Sequence, residues 1–303
     1  IHRGVHSLSQ EATEAFENSR KTIKNHFNSK ETCEIIFTSG ATHGINIISS
    51  GYSKILSDDN DELLVSEMEH HSNIVPWQIV AKNKGAIIKV VDPDSEGNIT
   101  LDSVMKLVTA KTKFISLTHV SNVIGNILPV KEICEEARTR CILTLIDGCQ
   151  AVPHMKVDVK HINCDFYVFS GHKTYGPSGI GILYGRKDLL ENAPPYQGGG
   201  DMIDKVTFEE TTYAPLPNKY EAGTPNIIGA IVLGEALSWM ENIGIENFTK
   251  HTKKITEKGG EEYLTLKVGP TIIKRIGSMP NQLTLGPGTV SYTHLTLPTN
   301  REV

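Results

Sequence analysis

Cysteine is sparse in this chain: five residues in 303, Cys33, Cys134, Cys141, Cys149 and Cys164, irregularly spaced and without a CxxC pair. This spacing argues against a disulfide framework and a structural zinc site, and it favours a reducing, cytoplasmic setting. A surplus of positive charge is missing as well. Thirty Lys and Arg stand against 35 Asp and Glu, a formal charge of −5, which leaves no excess to neutralise a phosphate backbone and argues against nucleic acid and anionic membranes as partners. Long apolar runs are also lacking: Gly229 to Met240 is interrupted by Gly234 and Glu235, well short of the ~20 residues that cross a bilayer. The chain opens on Ile1 and reaches a polar helical pattern by Gln10 without a targeting segment, so a missing N-terminal lead is expected.

What is present, 39% hydrophobic and 21% charged residues, is the composition of a globular protein with a large core. Ser7 and Gln10, at capping-box spacing, predict the start of a first helix whose apolar stripe is Ala12, Ala15, Phe16, Ile23 and Phe27. Short β-branched runs follow at Glu34 to Thr38, Leu63 to Ser66, Ala86 to Val91, Lys113 to Thr118, Cys141 to Ile146, Phe166 to Phe169 and Ile180 to Tyr184, mostly separated by stretches of helical length. Such alternation predicts an α/β fold with a mostly parallel sheet flanked by helices, and the nearly continuous apolarity of the runs predicts strands covered on both faces. A later helix is predicted over about Pro225 to Met240, carrying Ile228, Ile231, Val232, Ala236 and Leu237. Beyond Lys258 the periodicity decays.

Five runs end in polar strings, SGATHG, EMEHH, HVSN, DGCQ and SGHK. In open α/β sheets ligands sit outside the carboxyl ends of the strands, so these strings are expected to converge. Lys173 follows an apolar run and is flanked by glycines, a setting for Schiff-base chemistry, although read alone it is equally a surface lysine in a Gly and Pro turn. Ala41 and Thr42 open a helix after Ser39 and Gly40, which suits a phosphate cup. Asp147 ends an apolar strand, either as a buried carboxylate seeking a cation, such as a protonated pyridine nitrogen, or as a helix N-cap. Gln150 and Asn122 could hydrogen-bond a ring hydroxyl beside it. His70 and His71 point to opposite faces of an extended chain, so one imidazole stacked on a flat cofactor fits better than a metal pair.

A phosphate cup, a stacking histidine, a carboxylate and a lysine in that order meet the needs of pyridoxal 5'-phosphate. The strings HRGVHSLSQEATEAFE (2–17), EMEHHSNIVPWQ (67–78), THVSNVIGN (118–126), DGCQAV (147–152), CDFYVFSGHKTYGPSGIGILYG (164–185) and YEAGTPN (220–226) resemble the class V aminotransferase superfamily, and within it the SufS-type, group II cysteine desulfurases. The resemblance implies the fold-type I large domain over 1–250, the start of a small domain over 251–290 and an unplaced tail over 291–303. It implies that Lys173 forms the imine with the cofactor, His70 stacks on the ring, Asp147 pairs with the ring nitrogen, and Asn122 and Gln150 sit by the ring hydroxyl. Thr42, Ser170 and His172 would hold the phosphate, Thr224 would reach the phosphate site of the other subunit of a homodimer, and His2 and Arg3 would lie near the entrance.

The implied reaction converts L-cysteine to L-alanine and an enzyme persulfide, whose sulfur passes to an acceptor protein for iron–sulfur cluster assembly. A selenocysteine lyase, another class V lyase or transaminase, and a non-catalytic dimeric scaffold are the alternatives. The family's C-terminal RTGHHC-like string and substrate-binding arginine have no counterpart here, so a fragment without the sulfur-accepting cysteine is expected. None of the five cysteines present is expected to take that role, Cys33, Cys134, Cys141 and Cys164 because they lie in or beside apolar runs.

Overall fold

A computed structural model describes residues 6–56, 60–252 and 254 of the chain. Seven strands build its main sheet: β1 (Ile35–Thr38), β2 (Glu62–Ser66), β3 (Ile87–Val91), β4 (Thr112–Thr118), β5 (Leu143–Asp147), β6 (Phe166–Ser170) and β7 (Gly181–Gly185). Their order across the sheet is β1-β7-β6-β5-β4-β2-β3. β7 runs antiparallel to both its neighbours, and the other pairings are parallel. The carboxyl ends of β1, β2, β4, β5 and β6 therefore share one edge, as the five polar strings required.

Flanking helices include α1 (Ser7–His26), α2 (Ala41–Tyr52), α3 (Val75–Lys84), α4 (Leu101–Met105), α5 (Val130–Thr139), α6 (Val159–Ile162), α7 (Lys187–Asn192) and α8 (Ile227–Ile243). A hairpin of β8 (Ile203–Val206) and β9 (Thr211–Tyr213) stands outside the sheet. β1, β2, β6 and β7 are buried along their whole length, and β4 and β5 at all but one position each. β3 departs from the expected two-sided cover. At the edge opposite β1, it exposes Ile87 and Val90 and buries only Val91.

Two helix starts also differ from expectation. α1 is capped by the extended backbone of His6, whose carbonyl accepts from Ser9 and Gln10, so Ser7 lies inside the helix and no side chain caps it. α8 begins after Asn226, whose side chain accepts from the Gly229 N–H, and runs to Ile243. Its buried face is Ala230, Leu233, Gly234, Leu237 and Met240, whereas Ile228 and Val232 are exposed. Because α8 is apolar almost all round, its composition does not reveal which face packs. That face lies on α1, so closely that a Cβ at Gly234 would stand 2.8 Å from that of Ser19.

Arg20 of α1 is buried over the rings of Phe16 and Phe37, pairs with both carboxylate oxygens of Glu221 (2.7 and 2.9 Å) and donates to the Ile35 carbonyl. This contact ties segment 220–226 to α1 and β1. The expected boundary after residue 250 has only residues 251, 252 and 254 described beyond it, and the 291–303 tail, His2 and Arg3 lie outside the described residues.

Candidate active site

Lys173 closes a short 3-10 turn, Gly171–Lys173, directly after β6. The turn is held at its base by Gly171 N–H to the Ile180 carbonyl (2.9 Å) and by Thr174 and Gly176 N–H groups returning to the Gly171 carbonyl. A side chain at Gly171 would meet Ile180 at 2.8 Å, so the lysine sits on a tightly folded support.

Asp147 ends β5, in register with Thr118 of β4 and Val168 of β6. It is buried, and one carboxylate oxygen, Oδ1, accepts from the Cys149 N–H (3.0 Å). This is the Asx contact of a capping residue, yet the residues after Asp147 form turns rather than a helix. The N-cap reading therefore does not account for it.

His70 follows β2 in a turn that it caps itself: Nδ1 lies 3.1 Å from the Ser72 N–H and 2.8 Å from its hydroxyl. Burial, and then the Lys173 ammonium, hold its pKa below the ordinary histidine range, with Asp147 opposing. The lysine and the carboxylate, from two other strand ends, thus both act on the imidazole electrostatically.

At the end of β1, Gly40 adopts φ +152°, a conformation that disfavours a side chain, and α2 begins at Ala41. The Ala41 N–H donates to Ser170 Oγ (2.9 Å), which joins the helix start to the end of β6. Gly44 is the first residue of α2 to bond back to Gly40, so the Thr42 and His43 N–H groups have no carbonyl of their own helix. Thr42 and His70 line one hollow of ≈ 280 Å³ with Asn46, His71, Ser72, Val75, Pro76 and Ile79.

Asn122 and Gln150 are buried at 6% and 4% exposure, and the Asn122 Nδ2 and Gln150 Oε1 atoms have no partner. Buried polar groups are rarely left so, and these two offer one donor and one acceptor, where the sequence suggested donation from both. A ring hydroxyl, which both accepts and donates, supplies what they lack. The remaining expected residues are more open: His172 is exposed beside Lys173, and Thr224 is exposed in the loop before α8.

Among the cysteines, Cys134, Cys149 and Cys164 are buried, whereas Cys33 is half-buried and Cys141 exposed, although a place in or beside an apolar run led to burial being expected of both. Cys141 takes a positive φ of 57° in the turn before β5, which carries it out of the core. Burial, then Asp147, pushes the Cys149 thiol up to about 12, and burial does the same for Cys134.

Sequence reasoning missed two groups. His119, buried, meets the Tyr167 hydroxyl at 2.9 Å, and the Tyr167 ring lies 2.0 Å from where a Cβ at Gly148 would be. Glu69 is fully buried and accepts from three donors. Glu69 lies three residues past β2, in EMEHH, where the sequence shows the charge but not its partners.

Residues 1–272 match the family model for class V aminotransferases. The chain belongs to that family. A probable cysteine desulfurase of Halalkalibacterium halodurans is 45% identical over 257 residues, 85% of this chain and 63% of that protein, so the chain spans less than two thirds of this relative's length. The fold is similar to that of the cysteine desulfurase CsdA of Escherichia coli, solved as the S-sulfonic acid (TM-score 0.80, 34% identity, 89% of this chain and 67% of the other). It is also similar to the apo cysteine desulfurase of Thermococcus onnurineus (TM-score 0.82, 34% identity, 90% and 69%). This family is pyridoxal-phosphate-dependent, and the residues gathered here fit that group: a lysine, a buried carboxylate, a helix start and two unpartnered amides.

Proposed function

We propose that this chain carries the cofactor site of a SufS-type cysteine desulfurase that turns L-cysteine into L-alanine and passes the sulfur to an acceptor protein. The observation that carries the reading is the pair of orphaned amide atoms on Asn122 and Gln150, at the sheet edge that also presents Lys173 and Asp147. We assign the protein to the cytoplasm, where its five free thiols are stable. It would act as a homodimer in which exposed Thr224 reaches the partner's phosphate site.

When bound, pyridoxal phosphate supplies an electron sink for the amino acid's Cα. Lys173 Nζ would hold the cofactor covalently and could move a proton at the substrate Cα. Asp147 Oδ1 is held by the Cys149 N–H, and Oδ2 would keep a proton on the ring nitrogen. His70 would cover one face of the ring and exclude water, while Thr42, Ser170 and His172 would hold the phosphate at the start of α2.

Sulfur transfer needs a thiolate near the substrate, and the cysteines here do not provide one. The Cys149 thiol, up to about 12, stays protonated near pH 7. Cys141 precedes β5 and so lies roughly 20 Å from Asp147, at the strand's other end. The reading is tested by borohydride reduction of the loaded protein and peptide mapping: the pyridoxyl adduct is expected on Lys173, and an adduct on Lys156 or Lys187 would refute the assignment.

A further inference from the structure

Glu69 is 0% exposed, and among the described residues no cation pairs with it. Its two carboxylate oxygens are occupied by donors from three places in the chain. Oε1 accepts from the Ser66 hydroxyl at the end of β2 and from the Thr118 N–H at the end of β4 (2.9 Å), and Oε2 accepts from Asn73 Nδ2 (2.7 Å). Asn73 is itself fixed, its Oδ1 receiving the Ser116 hydroxyl (2.6 Å) and the Trp77 indole N–H (3.2 Å). Between Glu69 and Asn73 lies the turn that presents His70, closed by Asn73 N–H to the His70 carbonyl (2.7 Å).

The same carboxylate therefore grips both ends of this turn and moors it on β4. Thr118, where it is moored, stands in register with Asp147, and the next residue, His119, donates its N–H to the Asp147 carbonyl (2.9 Å). We infer that Glu69 is a positioning residue: by stapling the turn of His70 to the strand that pairs with Asp147, it fixes the imidazole that covers the ring relative to the carboxylate that meets the ring nitrogen. The inference deepens the functional reading and rests on it.

An acidic side chain suits this place because all three groups that converge on it are donors. An amide has a single acceptor oxygen, so a glutamine placing that oxygen on Ser66 and Thr118 would turn its NH₂ toward the Asn73 NH₂. Asn73 could flip only by giving up Ser116 and Trp77. Glu69→Gln, although nearly isosteric, should therefore loosen the turn, and Asn73→Ala should do so from its other end while leaving the carboxylate in place.

The test titrates pyridoxal phosphate into the cofactor-free 303-residue chain and records affinity together with visible circular dichroism per bound cofactor, which reports how rigidly the ring is seated. Both variants are expected to lose at least threefold in dichroism while affinity falls less than tenfold, because Lys173 and the phosphate-binding groups are untouched. Gly234→Ala, destabilised at the α1 and α8 contact, should keep the full signal, which separates positioning from general loss of stability. Should Glu69→Gln fail to fold, Asn73→Ala decides. Dichroism equal to wild type in the folded variants overturns the inference alone, whereas a wild-type chain that binds no cofactor overturns the functional reading and this inference with it.

Discussion

Asp147 stands where a single atom can be exchanged with little change of shape. Asp147→Asn keeps the side chain's volume and leaves Lys173 and the residues proposed to bind the phosphate in place, but removes the charge that would keep the ring nitrogen protonated. Cofactor affinity should change by less than about tenfold, while solvent deuterium exchange at Cα of a bound amino acid should slow on the order of 100-fold; normal exchange would refute the role. Cys149 offers the converse case. With its thiol held up at about 12 by burial and by Asp147, Cys149→Ala should leave cofactor binding intact, and neither form of the 303-residue chain should produce alanine and sulfide from L-cysteine above a cofactor-only control. Turnover that vanished with Cys149→Ala would make that thiol the sulfur acceptor after all.

The α1 and α8 pair shows how tightly the elements are fitted. Gly234→Val would drive a branched side chain into Ser19, whose Cβ lies 2.8 Å from the first added carbon and whose Cα lies 3.1 Å away. The expected loss, by urea unfolding, is about 1–3 kcal/mol. Gly198→Ala, with no atom within 4 Å of its new carbon, should be nearly neutral. The seven strands of the main sheet were the most legible part of the sequence, each found within two residues, because β-branched runs bounded by polar strings leave little choice, whereas the exposed β8–β9 hairpin was not foreseen. The edge exposure of β3 was not legible, since strand order depends on contacts far apart in sequence. The buried face of α8 was hidden by its uniform apolarity, and the α1 cap by a backbone carbonyl that no residue type announces. In the site, Lys173, Asp147 and His70 could be read because each follows a strand. Glu69 and the His119–Tyr167 pair could not, because their significance lies in partners up to 49 residues away.

Two buried groups pull stability in opposite directions across one range of pH. Burial raises Glu69 to about 7, with Asp147 adding repulsion, so its folded form binds a proton more readily than the unfolded chain. That contribution is full below about pH 4.5 and is lost as pH rises toward 7. Burial lowers His119 to about 4, so its contribution is present above about pH 6.5 and is lost as pH falls toward 4. Each shift of this size corresponds to roughly 3 kcal/mol. Relative to wild type, Glu69→Gln should therefore gain stability as pH rises from 4.5 to 7, and His119→Gln should gain it as pH falls from 6.5 to 4. Urea midpoints measured every half unit would show both trends, and parallel curves for all three proteins would refute them.

The reversed strand β7 has a consequence for the order in which the protein is made. Among the described residues β1 pairs only with β7 (Gly181–Gly185), and β7 reaches it because Gly181 has no side chain: a Cβ there would lie 2.5 Å from the Gly40 Cα. During synthesis β1 must wait for nearly 150 further residues before it can pair. The helix start that would hold the phosphate, bound to Ser170 through Ala41, belongs to this waiting segment. On the ribosome, the first part of the proposed cofactor site to be translated is thus among the last to be set in place.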